Sequence, residues 1–200
     1  SSVEDLIYPA LFVIAGFVAI LSHEMGHALV GRKLGGGQQT IVLELFGGLT
    51  SSHGMQLTRG GRALMILAGP MMTLLLGIIS LWLTWNIVAP VMTSYNLNFW
   101  DLAISPFTAA LISPKLYILS CLIMIGEWWT ILNLLPIYPL DGGQLIAQYI
   151  RSPRKVFMTG FITAILIGLL SFQLFHGYFI PIFMALFAYS NYREYKNAPF

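Results

Sequence analysis

His23, Glu24 and His27 stand in the pattern H-E-x-x-H, the residue types that zinc-assisted hydrolysis uses. On an α-helix positions i and i+4 share a face, so His23 and His27 can aim two imidazoles at one point. Neutral imidazoles suit Zn²⁺ at about 2.0–2.1 Å. Glu24, beside the first of them, is within reach of a water at that ion and can act as its general base. A short pattern of this kind also arises by chance in soluble chains. Here it stands inside an apolar run from Leu6 to Val30. Three ionisable groups within one turn of a membrane helix each cost at least a few kcal/mol unless paired or used. The expectation is a metal site.

The elements that position this site are membrane helices. The chain is 57% hydrophobic and 9% charged, with a mean hydropathy of +0.77, which excludes an ordinary soluble domain. Five apolar spans can be marked: Leu6–Val30, Ala63–Val88, Leu116–Leu140, Val156–Phe175 and Tyr178–Tyr192. A helix needs about 20 residues to cross the hydrocarbon core, so the fifth is short. The expected fold class is an all-α polytopic membrane protein, with about five transmembrane helices and a short membrane-edge β-hairpin. At 200 residues one membrane domain is expected, with a catalytic core over about 6–150 and C-terminal helices over about 156–192. Ser1–Asp5 lacks the basic start of a signal peptide, so the first helix is expected to be retained. A lone Cys121 leaves no intramolecular disulfide to form.

Lys and Arg in the connections give the orientation. Arg32, Lys33, Arg59, Arg62, Arg151, Arg154, Lys155, Arg193 and Lys196 fall on one side, and Lys115 alone falls on the other. This bias puts the C-terminus and the Arg32–Arg62 connection in the cytoplasm. That connection is itself unusual. Ile41-Val42-Leu43-Glu44-Leu45-Phe46 is β-prone and mostly apolar, and Gly47-Gly48 follows. It reads as a strand or re-entrant hairpin at the membrane edge, tolerated where its backbone is paired; the alternative is an ordinary surface hairpin.

The third span ends in Asn133-Leu134-Leu135-Pro136-Ile137-Tyr138-Pro139-Leu140-Asp141-Gly142-Gly143. Two prolines break the helix, and Asp141 at the break is either a third metal ligand or the N-cap of a helix starting at Gly142. The Lys/Arg count used none of these residues, yet it sets His23, His27 and Asp141 at a similar depth. That agreement favours the ligand.

These motifs together resemble the site-2 protease family of intramembrane zinc metalloproteases, in its bacterial and archaeal sporulation-factor-processing branch. Phe46-Gly47-Gly48 and Ala68-Gly69-Pro70 resemble further motifs of the family. The resemblance implies Zn²⁺ held by His23, His27 and Asp141, with Glu24 as catalytic base. It also implies that Asn133 contacts the substrate backbone or the tetrahedral intermediate. Where the family often has an Asn three residues after Ala-Gly-Pro, this chain has Thr73. His53 and Glu127 have no family role; Glu127 is expected to be a satisfied structural carboxyl or to pair across the bundle.

The expected function is hydrolysis of a membrane-embedded protein substrate near the cytoplasmic face, in a bacterial or archaeal cell membrane. Partners are the lipid bilayer and a membrane-spanning substrate, with no nucleic acid. Residues 41–46 would bind that substrate by strand addition, with Gly47 and Gly48 allowing close backbone approach. The rival is a metal-ion transporter or channel with the same ligands, but no second copy of either motif is present to form the usual repeat.

Overall fold

The computed structural model describes residues 4–35, 37–44, 47–53, 57–95, 100, 103 and 105–199. Leu45 and Phe46, two of the expected substrate-strand residues, lie outside them. In chain order the elements are α1 (Glu4–Gly35), β1 (Gln38–Glu44), β2 (Gly47–His53), α2 (Arg59–Tyr95), α3 (Pro106–Ala110), α4 (Pro114–Asn133), α5 (Asp141–Ala147), α6 (Pro153–Phe175) and α7 (Phe179–Asn197). The chain is mostly helical. Among the described residues four helices are long and apolar enough to cross a membrane: Leu6–Gly35, Arg59–Ala89, Pro114–Asn133 and Pro153–Phe175. The fifth expected span falls in α7, which is not among the four; Asn191, Arg193, Glu194 and Lys196 crowd its last turns.

The chain divides into two compact units, Ser1–Thr130 and Ile131–Phe200. In the first, α1 packs along α2. Both helices bury small residues: Ala15, Ala19 and Gly26 on α1, and Gly69, Thr73, Gly77 and Ser80 on α2. Small side chains let two membrane helices close on each other. Approach is tightest at Gly26, where an added Cβ would overlap the Ala68 carbonyl oxygen and lie 3.0 Å from Gly69 Cα. The two glycine-bearing motifs are thus each other's packing partners.

At 37 residues α2 overruns the expected Ala63–Val88 span and continues through Pro70. Pro70 has no N–H to give the carbonyl of Ile66. Helix α4 starts on Ser113, whose hydroxyl accepts from the Leu116 N–H at 3.3 Å, with Pro114 in the first turn. The Tyr8 hydroxyl donates to the Ala110 carbonyl at 2.9 Å, and the Tyr8 and Tyr117 rings meet edge to face at 4.9 Å. Further along, an added Cβ on Gly126 would sit 3.2 Å from the Thr73 carbonyl oxygen, and the Thr130 hydroxyl reaches the Pro70 carbonyl at 3.4 Å. These contacts make α1 and α4 parallel, with α2 antiparallel to both. Glu127 lies on the exposed face of α4, one residue off the buried stripe of Ile123, Gly126 and Thr130, so the expected burial is not found.

Strands β1 and β2 pair antiparallel from Gln38↔His53 to Glu44↔Gly47 and pack against α1. The strand therefore begins at Gln38 rather than at Ile41.

In the second unit α6 packs along α7, around Ala164, Met184 and Ala188 with Ile137. Helix α6 starts with Pro153 in its first turn and ends at His176, which is left-handed with φ 50°. The third expected span, Leu116–Leu140, is corrected: the helix stops at Asn133, because Pro136 and Pro139 cannot continue it. Residues 134–140 form an irregular segment, with Ile137 N–H donating to Leu135 O (2.7 Å) and Leu140 N–H to Ile137 O (2.8 Å).

Candidate metal centre

His23 and His27 are both buried, one turn apart on α1, and the ring orientation of each is fixed from α2. The Thr73 hydroxyl donates to the Gly69 carbonyl at 2.9 Å, so its proton is committed there. Its oxygen also lies 3.1 Å from His23 Nδ1 and can only accept, so His23 carries its proton on Nδ1. His27 Nδ1 lies 2.9 Å from the Met65 carbonyl, which also only accepts, so the same tautomer holds there. Both Nε2 atoms are left with lone pairs, and they face each other 3.1 Å apart. Two acceptors in that arrangement repel unless a cation lies between them. Nitrogens this close can both reach one ion at about 2.0–2.1 Å.

The carboxylate of Glu24 completes a buried group with its candidate ligand atoms all within 4.8 Å of one another. It is the one such group among the described residues. Imidazoles with their second N–H held by a carbonyl or hydroxyl, beside a carboxylate, make a donor set that fits zinc. Sequence reading missed the groups that hold them. Thr73, noted only as a departure from a motif, is fully buried and sets the His23 tautomer. Gly69 forms the floor: an added Cβ would overlap His27 Nε2 and Cε1 and come within 2.8 Å of His23 Nε2.

Thr73→Val keeps the shape and removes the acceptor. Zinc affinity should then fall about 10–100-fold, the usual loss for a partner behind a ligating histidine. Competition against a chelator measures this; unchanged affinity would mean that Thr73 does not orient His23.

Asn133 and Asp141 belong to the second unit, at the two ends of the irregular segment. Both are buried. Asp141 is the first residue of α5, with Leu140 in the cap position. Gly142 and Gly143 are required by space. A Cβ on Gly142 would overlap the Leu134 and Leu135 carbonyl oxygens, and one on Gly143 the backbone of Ile137. The segment is folded directly onto the start of α5, and the Gln144 side chain ties it down by donating to Pro139 O at 2.9 Å. Ile41 and Glu44 lie in β1, as do Val42 and Leu43, while Gly47 and Gly48 open β2; His53 pairs with Gln38.

Residues 11–175 match the model of Peptidase family M50. The chain belongs to that family. M50 membership does not favour the transporter alternative. Among curated proteins, the chain is 29% identical over 200 residues to the Zinc metalloprotease MJ0392 of Methanocaldococcus jannaschii, covering 94% of this chain and 50% of that protein. The chain thus spans half the length of this relative. Among solved structures it shares the fold of the Site-2 Protease from Methanocaldococcus jannaschii, with a TM-score of 0.58 at 24% identity, over 93% of this chain and 78% of that one.

Proposed function

We propose that this M50 chain is an intramembrane zinc metalloprotease that hydrolyses a peptide bond of a membrane-embedded protein near the cytoplasmic face. The observation that carries the reading is the pair of fixed Nε2 acceptors 3.1 Å apart, with the Glu24 carboxylate beside them. His23 and His27 hold the zinc, with Asp141 as third ligand. When bound, zinc supplies Lewis-acid polarisation of the scissile carbonyl and of water. Glu24 takes a proton from the attacking water and gives it to the leaving amine. The Asn133 amide donates to the developing oxyanion or holds the substrate backbone. Co-expression with candidate single-span membrane proteins tests this directly. Wild type should leave cleaved chains and Glu24→Gln uncleaved ones; equal cleavage by both sinks the reading.

The membrane frame supports a site near one face. Arg59 and Arg62 open α2, and the exposed Trp82 follows Arg62 after about 30 Å of helix, the thickness of the hydrocarbon core. His27 lies about 7.5 Å along α1 from Arg32, shallow enough for water to reach. In this reading the Arg-rich face is cytoplasmic, residues 1–200 form one domain in a prokaryotic cell membrane, and α7 is a short fifth crossing. Cysteine labelling at Ser2 and Asn197 in a Cys121→Ser background should report opposite sides, residue 2 external. External labelling at 197 would reverse the assignment.

The hairpin lies at the membrane edge and binds substrate. A helical substrate hides its carbonyls in i to i+4 hydrogen bonds, so it must unwind, and unpaired backbone groups in lipid cost several kcal/mol each. In a two-stranded sheet β1 has one edge that no described strand covers, which suits strand addition through residues 41–46. Val42→Pro and Leu43→Pro each remove one backbone N–H but no ligand, and only one of the two N–H groups points to the free edge. Because N–H directions alternate, one of the two should slow cleavage with zinc content unchanged. Wild-type rates in both would end the strand-addition idea.

A further inference from the structure

Asn191 belongs to none of the motifs above, yet it is 1% exposed where the last turns of α7 cross the start of α6. Its Nδ2 donates to two carbonyls. One is Phe187 O at 2.9 Å, a bond within its own helix. The other is Tyr138 O at 2.6 Å, 53 residues away in the irregular segment that leads to Asp141. An amide nitrogen has two N–H groups, so both are spent. The oxygen Oδ1 is buried, with no hydrogen-bond partner among the described residues. It lies over Gly160 of α6, where an added Cβ would overlap it and would also come within 3.3 Å of Ile137 Cα.

A buried amide oxygen left without a hydrogen bond is unfavourable, and an apolar side chain would fill a helix seam better. What Asn191 supplies that Leu cannot is an N–H at the Tyr138 carbonyl. The other hydrogen bonds around this turn, Leu140 N–H to Ile137 O and Gln144 Nε2 to Pro139 O, lie within the segment and α5 and move with them. The Asn191 bond ties the segment to a different helix. Gly160 leaves the room that this crossing needs.

We propose that Asn191 is a positioning residue: through its hydrogen bond to the Tyr138 carbonyl over Gly160 it fixes the aim of the Asp141 carboxylate, and so sets the affinity of the site for metal. The inference rests on the reading of Asp141 as a zinc ligand. Zinc affinity of the full chain, by chelator competition, is compared with thermal unfolding for four variants. Asn191→Leu removes the donor and keeps the packing; Asn191→Asp keeps the size without the N–H and serves if Leu fails to fold. Met184→Ala, packed over Gly168 further along the seam, loosens the α6–α7 core while leaving the Asn191 hydrogen bond to Tyr138 in place. Asp141→Ala removes the ligand itself.

Asn191→Leu and Asn191→Asp should each lose about tenfold or more in zinc affinity, while Met184→Ala melts earlier yet binds zinc as the wild type does. A folded Asn191 variant with wild-type affinity, beside an Asp141→Ala that has lost zinc, overturns the inference alone. Loss in Met184→Ala equal to that in Asn191→Leu overturns it too, by reducing Asn191 to general packing. Full zinc retention in Asp141→Ala instead removes the ligand reading beneath it.

Discussion

Gly69→Ala is expected to strip the protein of zinc while leaving both histidines in the sequence. The methyl group would overlap His27 Nε2 and Cε1 and lie 2.8 Å from His23 Nε2. Backing away is not open to α2. Gly26 already holds its backbone against Ala68 and Gly69, and the Thr73 and Met65 contacts that orient the rings come from the same helix. One ring has to swing off the shared point, and a displaced imidazole cannot complete the donor set. Affinity should fall by at least the about 100-fold that marks the upper end of losses behind a ligating histidine. Gly77→Ala is the matched control on the same helix, with nothing within 4 Å of the new methyl group. It should keep its zinc and gain slightly in helix propensity. Equal zinc in the two variants would contradict the geometry of the centre.

The placing of His23 and His27 on one buried face was legible because its information is local. Positions i and i+4 on a helix share a face whatever surrounds them, and the apolar run from Leu6 to Val30 made the helix plain. Gly69 was half legible: Ala68-Gly69-Pro70 stood out as a motif, but the reason for its glycine lies across the interface with α1. Thr73 and Met65 were not legible, because a hydroxyl and a backbone carbonyl serve a histidine only once α2 has been laid antiparallel to α1. Asn191 gave even less signal, since a polar residue near the end of an apolar helix reads as its water-facing turn.

The helix break after Asn133 was readable from Pro136 and Pro139, which remove donors outright. The way residues 134–140 fold back onto Gly142 and Gly143 was not, because it depends on hydrogen bonds within an irregular segment. Glu127 failed for a related reason. Its burial was inferred from its place in an apolar span, whereas the buried stripe of α4 passes one residue to its side. Helix α2 outran its apolar pattern because helical hydrogen bonding continues past the point where hydropathy falls.

Glu24→Gln measures the central claim most directly, with cleavage and zinc content read on the same preparation. Gln has the size of Glu and can remain in the buried pocket beside His23, but it cannot accept a proton from water at neutral pH. The Nε2 pair is oriented from Thr73 and Met65, neither of which the substitution touches. If Glu24 is the base and not a ligand, cleavage of a membrane-spanning substrate should fall about 10²–10⁴-fold with zinc unchanged at one ion per chain. Loss of zinc together with activity would make Glu24 a ligand, and cleavage at the wild-type rate would contradict the assignment of this site as the seat of hydrolysis.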